Sequence, residues 1–391
     1  MPTQKRITIE NNIKQDTASK KYYVTFYFGK DEAGNNKRKT KAFGTLDEAR
    51  TALKAHELSM LKGDAVEPNR MTLTAAIQRH LETLSLKSEV STIYSYQIIA
   101  RHIEAHKLGK KSVQDIKPPD IQAYLQYVQK EKGLSSNTAL KHYNFLNSVL
   151  NLLEQQEVIN RNPVKRVISP KKVKHEPEYL TIAEALAILE RSKGDRLELP
   201  FALGLYTGMR RGELCGLVWD CVDFEKNTIR VKASRLNVGS EIVVKKPKSE
   251  SSERTINIVA ELKEILLQEL ATQEGNRQML MSEYHNEGYV ICHNDGRAVR
   301  PNYLSEMFKA WFARPANQDL HTITPHELRH SFVALAIAAG VPLYEISQAL
   351  GHGDIGITSR IYAHLLDKSH INATEGMAGM LRNKLEQKIG G

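Results

Sequence analysis

Four short segments in the second half of the chain place arginine, lysine, histidine and tyrosine where an ordinary core would not choose them. In YTGMRRGELCGLVWDCVDF (206–224), Arg210 follows a glycine turn and begins a helix that carries Glu213 three residues on. The two side chains share a helix face, which alone reads as a surface ion pair. In KPKSESSERTINI (246–258), Lys248 lies in a turn-rich stretch between two strands, and Arg254 opens the second. Such a lysine is either a solvated hairpin residue or one that reaches into a groove. In TPHELRHSFVALAIAAG (324–340), His326 and Arg329 stand three apart on a strongly apolar helix, where a cationic pair calls for an anion to neutralise it. In LGHGDIGITSRIYAHL (350–365), Gly351-His352 ends one helix and a short helix then carries Tyr362. A helix-capping histidine and a core tyrosine are the plain alternatives there.

The elements that position these groups follow from periodicity. The C-terminal part, 178–391, reads as helices interrupted by three short strands, TIRVKAS (228–234), EIVVKK (241–246) and RTINI (254–258), with a further strand at GYVICH (288–293). Residues 71–165 read as a helical bundle, because apolar residues recur at spacings of three and four. Thr72, Ser91 and Ser135 or Ser136 are its candidate N-caps, and Pro118-Pro119 suits a helix start. Its tyrosines read as core. The cation-rich stretch at 164–175 suits an extended tether, set at 166–177. Residues 1–66 read as a small β-rich module: YYVTFYFG (22–29) and KRKTKAFG (37–44) are strands, and Thr45 with Glu48 opens a helix as a capping box. The Lys37-Arg38-Lys39 run also reads as a charged hairpin edge that guards against aggregation.

Bulk composition narrows the class. A chain of 391 residues exceeds what one core usually holds, so two or three domains are expected. The formal net charge of +10 favours a polyanionic partner, nucleic acid before an anionic membrane. Three cysteines without a CxxC pair support neither a disulfide framework nor a structural zinc site. The opening residues lack the apolar stretch of a signal peptide, and no apolar run is long enough to span a membrane. A reducing cytoplasm fits this cysteine usage.

Taken in order, the four segments resemble the catalytic signature of the tyrosine recombinase (phage integrase) family: arginine in a T-G-x-R-x-x-E run, a hairpin lysine, H-x-L-R-H, L-G-H, and a tyrosine followed by A-H-L. Arg210, Lys248, His326, Arg329, His352 and Tyr362 meet it here, with Lys245 and Lys246 close to the lysine position. Glu213 and His330 are read as supporting residues, and the resemblance implies no cofactor and no metal. The helical bundle resembles the family's core-binding domain. Residues 1–66 resemble the three-stranded arm-binding module of integrases from temperate phages and conjugative transposons, which makes Tyr23, Arg38, Lys39 and Lys41 the expected DNA contacts. The implied fold is therefore multidomain and mainly α: a small β module, a helical core-binding domain, and an α-rich catalytic domain with a small antiparallel sheet. The two larger domains would close on the duplex as a clamp.

The resemblance implies cleavage and rejoining of DNA through a 3′-phosphotyrosine. Two guanidiniums would clamp the attacked phosphate, Lys248 would protonate the leaving 5′-oxygen, and His326 is a reasonable base for the tyrosine. The implied working form is a homotetramer on core and arm sites in double-stranded DNA, serving integration and excision of a mobile element or prophage. An excisionase and a DNA-bending protein are the implied accessory partners. The tail, 371–391, contains an amphipathic helix candidate that would dock on a neighbouring subunit. Two rival enzymes share parts of this pattern. HELRH (326–330) also matches the H-E-x-x-H zinc protease helix, which would leave Arg210, Arg329 and Tyr362 without roles. A type IB topoisomerase shares the tyrosine chemistry but has no use for an arm-binding module. A non-catalytic DNA-binding relative would not need the full constellation.

Overall fold

A computed structural model describes residues 6–30, 34–61, 69–174, 177–245, 253–351, 356, 359 and 362. The chain divides into two compact units, Met1–Lys174 and His175–Gly391.

The first unit begins with an antiparallel meander, β1 (Arg6–Glu10), β2 (Ile13–Asp16), β3 (Tyr22–Lys30) and β4 (Asn36–Phe43), in the order β1-β2-β3-β4. The sheet has four strands where three were expected. The additional β1–β2 hairpin turns through Asn11-Asn12, with Asn12 at φ 67°, a conformation asparagine tolerates well. Helix α1 (Leu46–Leu61) starts at the expected capping box: Glu48 N–H donates to Thr45 Oγ1, and Thr45 N–H to Glu48 Oε2, both at 3.2 Å. Ile13, Val24 and Ala49 are the buried centre of this module, with Tyr22, Phe26, Phe43, Leu46 and Leu53 packed around them.

The helical part of this unit contains α2 (Leu73–Ser85), α3 (Val90–Ala105), α4 (Pro118–Lys130) and α5 (Ser136–Gln155). Thr72 and Ser135 cap α2 and α5 as their sequence positions predict. Ser91 does not cap α3. That helix begins one residue earlier, at Val90, and its N-cap Glu89 makes no side-chain capping bond. Tyr124 is buried with Phe145, Leu146 and Val149 in the core, and Tyr96, Tyr127 and Tyr143 pack against it. The basic stretch after this bundle is extended but does not hang free. Ser136 Oγ donates to the Lys171 carbonyl at 2.6 Å, and Asn137 exchanges two bonds of 2.9 Å with Val173.

The second unit starts with α6 (Ile182–Arg191), which carries a Thr181–Glu184 capping box, and α7 (Glu198–Thr207). Short α8 (Arg211–Leu214) follows, then β5 (Val222–Asp223), β6 (Thr228–Val231), β7 (Ser234–Val238), β8 (Glu241–Lys245) and β9 (Arg254–Asn257). The helices α9 (Ala260–Leu280), α10 (Pro301–Phe312), α11 (Pro325–Ala338) and α12 (Leu343–Leu350) complete the described elements, while Gly356, Ser359 and Tyr362 have helical backbone. Strand pairing departs from the sequence reading. β5-β6-β9 form one sheet and β7-β8 a separate hairpin, so the strands on either side of Lys248 are not partners. The 228–234 segment, read as one strand, is divided between β6 and the start of β7. The GYVICH segment makes only isolated bridges, Val218 with Tyr289 and Cys292 with Ala298, because its neighbours are loop segments rather than strands.

One close approach sets the position of α11. An added Cβ at Gly204 in α7 would lie 2.6 Å from Leu328 Cδ1 and 3.2 Å from Leu328 Cβ. Glycine therefore lets α7 and α11 approach closely, which fixes where the histidine- and arginine-bearing face of α11 sits.

Candidate active site

Two of the guanidiniums are tied together by one carboxylate. Glu213 accepts from the Arg210 backbone N–H and from Arg210 Nη1, each at 2.8 Å. It also accepts from Arg254 Nη1 at 3.2 Å and Arg254 Nη2 at 2.8 Å. Burial alone would raise the Glu213 pKa. The hydrogen bonds and charge of Arg254, with a further contribution from Arg210, overcome that and hold it at about 2. Glu213 and Arg254 are both buried, whereas the Arg210 side chain is 40% exposed. The geometry suits a guanidinium anchored from behind and open to an incoming phosphate in front.

Arg329 is fixed from a second direction. Its Nη1 donates to the Gly208 carbonyl at 2.7 Å and its Nη2 to the Leu350 carbonyl at 2.8 Å. Gly208 ends α7 at φ 61°, a left-handed position that glycine takes without penalty, and this turn presents its carbonyl to Arg329. Burial and the neighbouring charge of Arg210 lower the Arg329 pKa to about 9, so it stays protonated at neutral pH. Arg254 Nε donates to the Ala349 carbonyl at 2.6 Å. Two buried arginines thus hold consecutive carbonyls at the end of α12.

Tyr362 is buried, 2% exposed, among Val333, Ile337, Ile346 and Leu350 of α11 and α12. Its hydroxyl makes a short hydrogen bond with His330 Nδ1. Burial raises the Tyr362 pKa, and the charge of Arg329 partly opposes this. His330 lies one helical turn beyond His326, the two rings meeting edge to face with centroids 4.8 Å apart. Burial, followed by the charge of Arg329, lowers the His326 pKa. Burial, His326 and Arg329 lower that of His330 to about 4. The described hydrogen bond to the phenol is therefore made by His330, not by His326, the base the sequence reading favoured.

The remaining expected residues divide. Lys248 and His352 lie outside the described residues, as does the tail at 371–391. In the N-terminal sheet, Tyr27 pairs with Arg38, Thr25 with Thr40 and Tyr23 with Ala42, on the face opposite the α1 core. The Arg6 guanidinium lies 3.9 Å above the Tyr23 ring on that face. Lys39 and Lys41 pair with Phe26 and Val24, so they belong to the opposite, helix-side face. The four expected contacts do not share one surface of the sheet. In the HELRH segment, Glu327 accepts from Thr324 N–H at 2.7 Å, so its carboxylate caps α11. That occupies the group a zinc protease would use as its base.

Two features escaped the sequence reading. From the sequence, Arg254 only opens a strand. The inward phase it shares with Ile256 on β9 was the available signal that it is buried. The direct contact of His330 with Tyr362 had no local signal, because the residues are 32 positions apart.

The phage integrase family profile matches residues 176–369, and the phage integrase SAM-like domain profile matches residues 72–173. The chain is 29% identical over 377 residues to the tyrosine recombinase XerC-like protein of Caldanaerobacter subterraneus subsp. tengcongensis, covering 91% of this chain and 95% of that one. It is 26% identical over 348 residues to the ICEBs1 integrase of Bacillus subtilis, covering 88% and 93%. In fold it is similar to the Tn1549 transposon integrase solved with a circular intermediate DNA, at TM-score 0.65 and 23% identity over 80% of this chain and 99% of that one. A lambda integrase dimer bound to a COC′ core site gives TM-score 0.55 at 19% identity, covering 91% and 96%.

Proposed function

The chain belongs to the phage integrase family of tyrosine recombinases, and from that membership we propose that it integrates and excises a mobile element or prophage through a 3′-phosphotyrosine at Tyr362. The observation that carries the assignment of roles is the bonded constellation in which Glu213 holds Arg210 and Arg254, Arg254 and Arg329 hold the consecutive Ala349 and Leu350 carbonyls, and Tyr362 packs against Leu350. In-line attack by the Tyr362 oxygen gathers negative charge on the non-bridging phosphate oxygens. Arg210 and Arg329 bind those oxygens, and loss of either should cost about 3 kcal/mol at the transition state, by analogy with a lost oxyanion-hole donor. His326 and His352 add hydrogen bonds, and Lys248 protonates the departing 5′-oxygen. The phosphotyrosine conserves the bond energy for a second strand's 5′-hydroxyl, so no nucleotide cofactor or metal is required.

The same reading gives three domains, with boundaries at 1–66, 71–165 and 178–391 around the 166–177 tether, in a cytoplasmic, nucleoid-associated enzyme. It acts as a homotetramer on core and arm sites, with an excisionase and a DNA-bending protein as accessory partners. A lambda integrase tetramer on a Holliday junction supports the assembly by analogy of fold. Tyr23 and Arg38 contact arm DNA from the open sheet face, and Lys39 and Lys41 reach it from the other face of the edge strand β4. The tail at 371–391 couples assembly to cleavage, and its deletion should abolish both tetramers and cleavage; retention of both would discard that coupling. The principal test is a nicked suicide duplex incubated with protein in excess EDTA. A covalent adduct is expected with the wild type and none with Tyr362→Phe. An adduct that survives Tyr362→Phe would remove the nucleophile assignment, and EDTA-sensitive activity would reopen metal chemistry.

A further inference from the structure

We propose that His330 is the general base that takes the proton of Tyr362 during strand cleavage and returns it during rejoining. The inference rests on the recombinase reading and adds a catalytic residue to it. Three observations lead there. The Tyr362 hydroxyl meets His330 Nδ1 directly. The phenol is enclosed by Val333, Ile337, Ile346 and Leu350, which leaves bulk water little access to its proton. His330 rests neutral at working pH, because burial, His326 and Arg329 disfavour its charged form, so Nδ1 has a lone pair available, and the negative charge of a bound phosphate would favour the imidazolium as it forms.

The step balances as follows. Nδ1 is unprotonated in the tautomer that carries hydrogen on Nε2. As the Tyr362 oxygen forms its bond to phosphorus, its proton moves to Nδ1. The bond from phosphorus to the 5′-oxygen breaks, and that oxygen takes a proton from the active-site acid, proposed above as Lys248. Rejoining runs in reverse: the 5′-hydroxyl attacks and gives its proton back to the deprotonated active-site acid, the bond from phosphorus to Tyr362 breaks, and the imidazolium protonates the departing phenolate. Attack and rejoining therefore depend on the same ring.

Single-turnover cleavage of the suicide duplex by the full chain tests this. His330→Asn keeps a hydrogen-bonding atom near the Nδ1 position but supplies no comparable base. It should bind duplex as the wild type does and cleave about 100-fold more slowly. The deficit should persist on a substrate with sulfur at the bridging 5′ position, since a thiolate leaves without a proton while the nucleophile must still lose one. His330→Ala should recover activity with added imidazole. Cleavage by His330→Asn at a rate close to wild type would overturn the proposal and leave His330 as packing. A deficit that vanishes on the sulfur substrate would also overturn it, by moving His330 to the leaving-group side. Loss of the adduct in Tyr362→Phe alongside full-rate His330→Asn sinks only this proposal. Absence of any adduct with wild-type protein would instead sink the recombinase reading beneath it.

Discussion

Glu213 shows how much one buried carboxylate can organise. It faces two guanidiniums, and replacing it with an amide leaves Arg254 buried without its counter-charge. Glu213→Gln should therefore lose about 3–5 kcal/mol of stability in urea unfolding at neutral pH. The sign with pH is fixed by its lowered pKa. The native state favours the carboxylate, so this stabilisation is complete above the ordinary value of 4.5 and disappears as pH falls toward about 2. The gap between wild type and Glu213→Gln should close over that range; a gap constant with pH would show that the carboxylate charge is not the source. The sequence made Arg210, Glu213, His326, Arg329 and Tyr362 legible as candidates through motif spacing, since each sits within a short local pattern. It did not reveal the role of Arg254, because an arginine at the start of a strand looks like any surface cation until its partner, 41 positions away, is known.

Local rules served well among the elements, and long-range pairing did not. The capping box at Thr45, the caps at Thr72 and Ser135, and the proline start of α4 depend on residues a few positions apart. β8 turns back on its neighbour β7, whereas β9 pairs with the non-adjacent β6, and periodicity carries no information on that long-range choice. The α7–α11 approach belongs to the same class. Gly204→Ala would drive a methyl against Leu328, with Cδ1 only 2.6 Å away. It should cost about 1–3 kcal/mol and slow cleavage by shifting α11, and Leu328→Val added to it should recover part of both losses. Unchanged thermal unfolding of Gly204→Ala would mean that the side chain yields instead of the helix.

For the molecule as a whole, charge and buried histidines make opposite demands on solution conditions. With a net charge of +10, affinity for non-specific duplex should fall steeply with salt. A protein that neutralises about 6–10 phosphates loses about 10³–10⁵ in affinity between about 50 and 200 mM salt. A flat response in a titration series would argue against a phosphate-dominated interface. Acid acts on the first unit. His142 is buried, bonded at Nδ1 to the Tyr124 hydroxyl at 2.8 Å and stacked on His102 with ring centroids 5.5 Å apart. Burial, with His102 adding to it, lowers its pKa from 6.5 to about 4. The native bundle therefore favours the neutral ring: its stability is complete above 6.5 and erodes as pH drops toward 4. Unfolding midpoints of the full chain between those limits should fall for wild type and fall less for His142→Phe. The paired grip of Arg254 and Arg329 on the Ala349 and Leu350 carbonyls has a consequence for reading genetic lesions in this protein. Damage to the last turn of α12 would silence strand exchange while sparing target occupancy, and a screen would score it beside loss of an arginine although no reactive group had been touched.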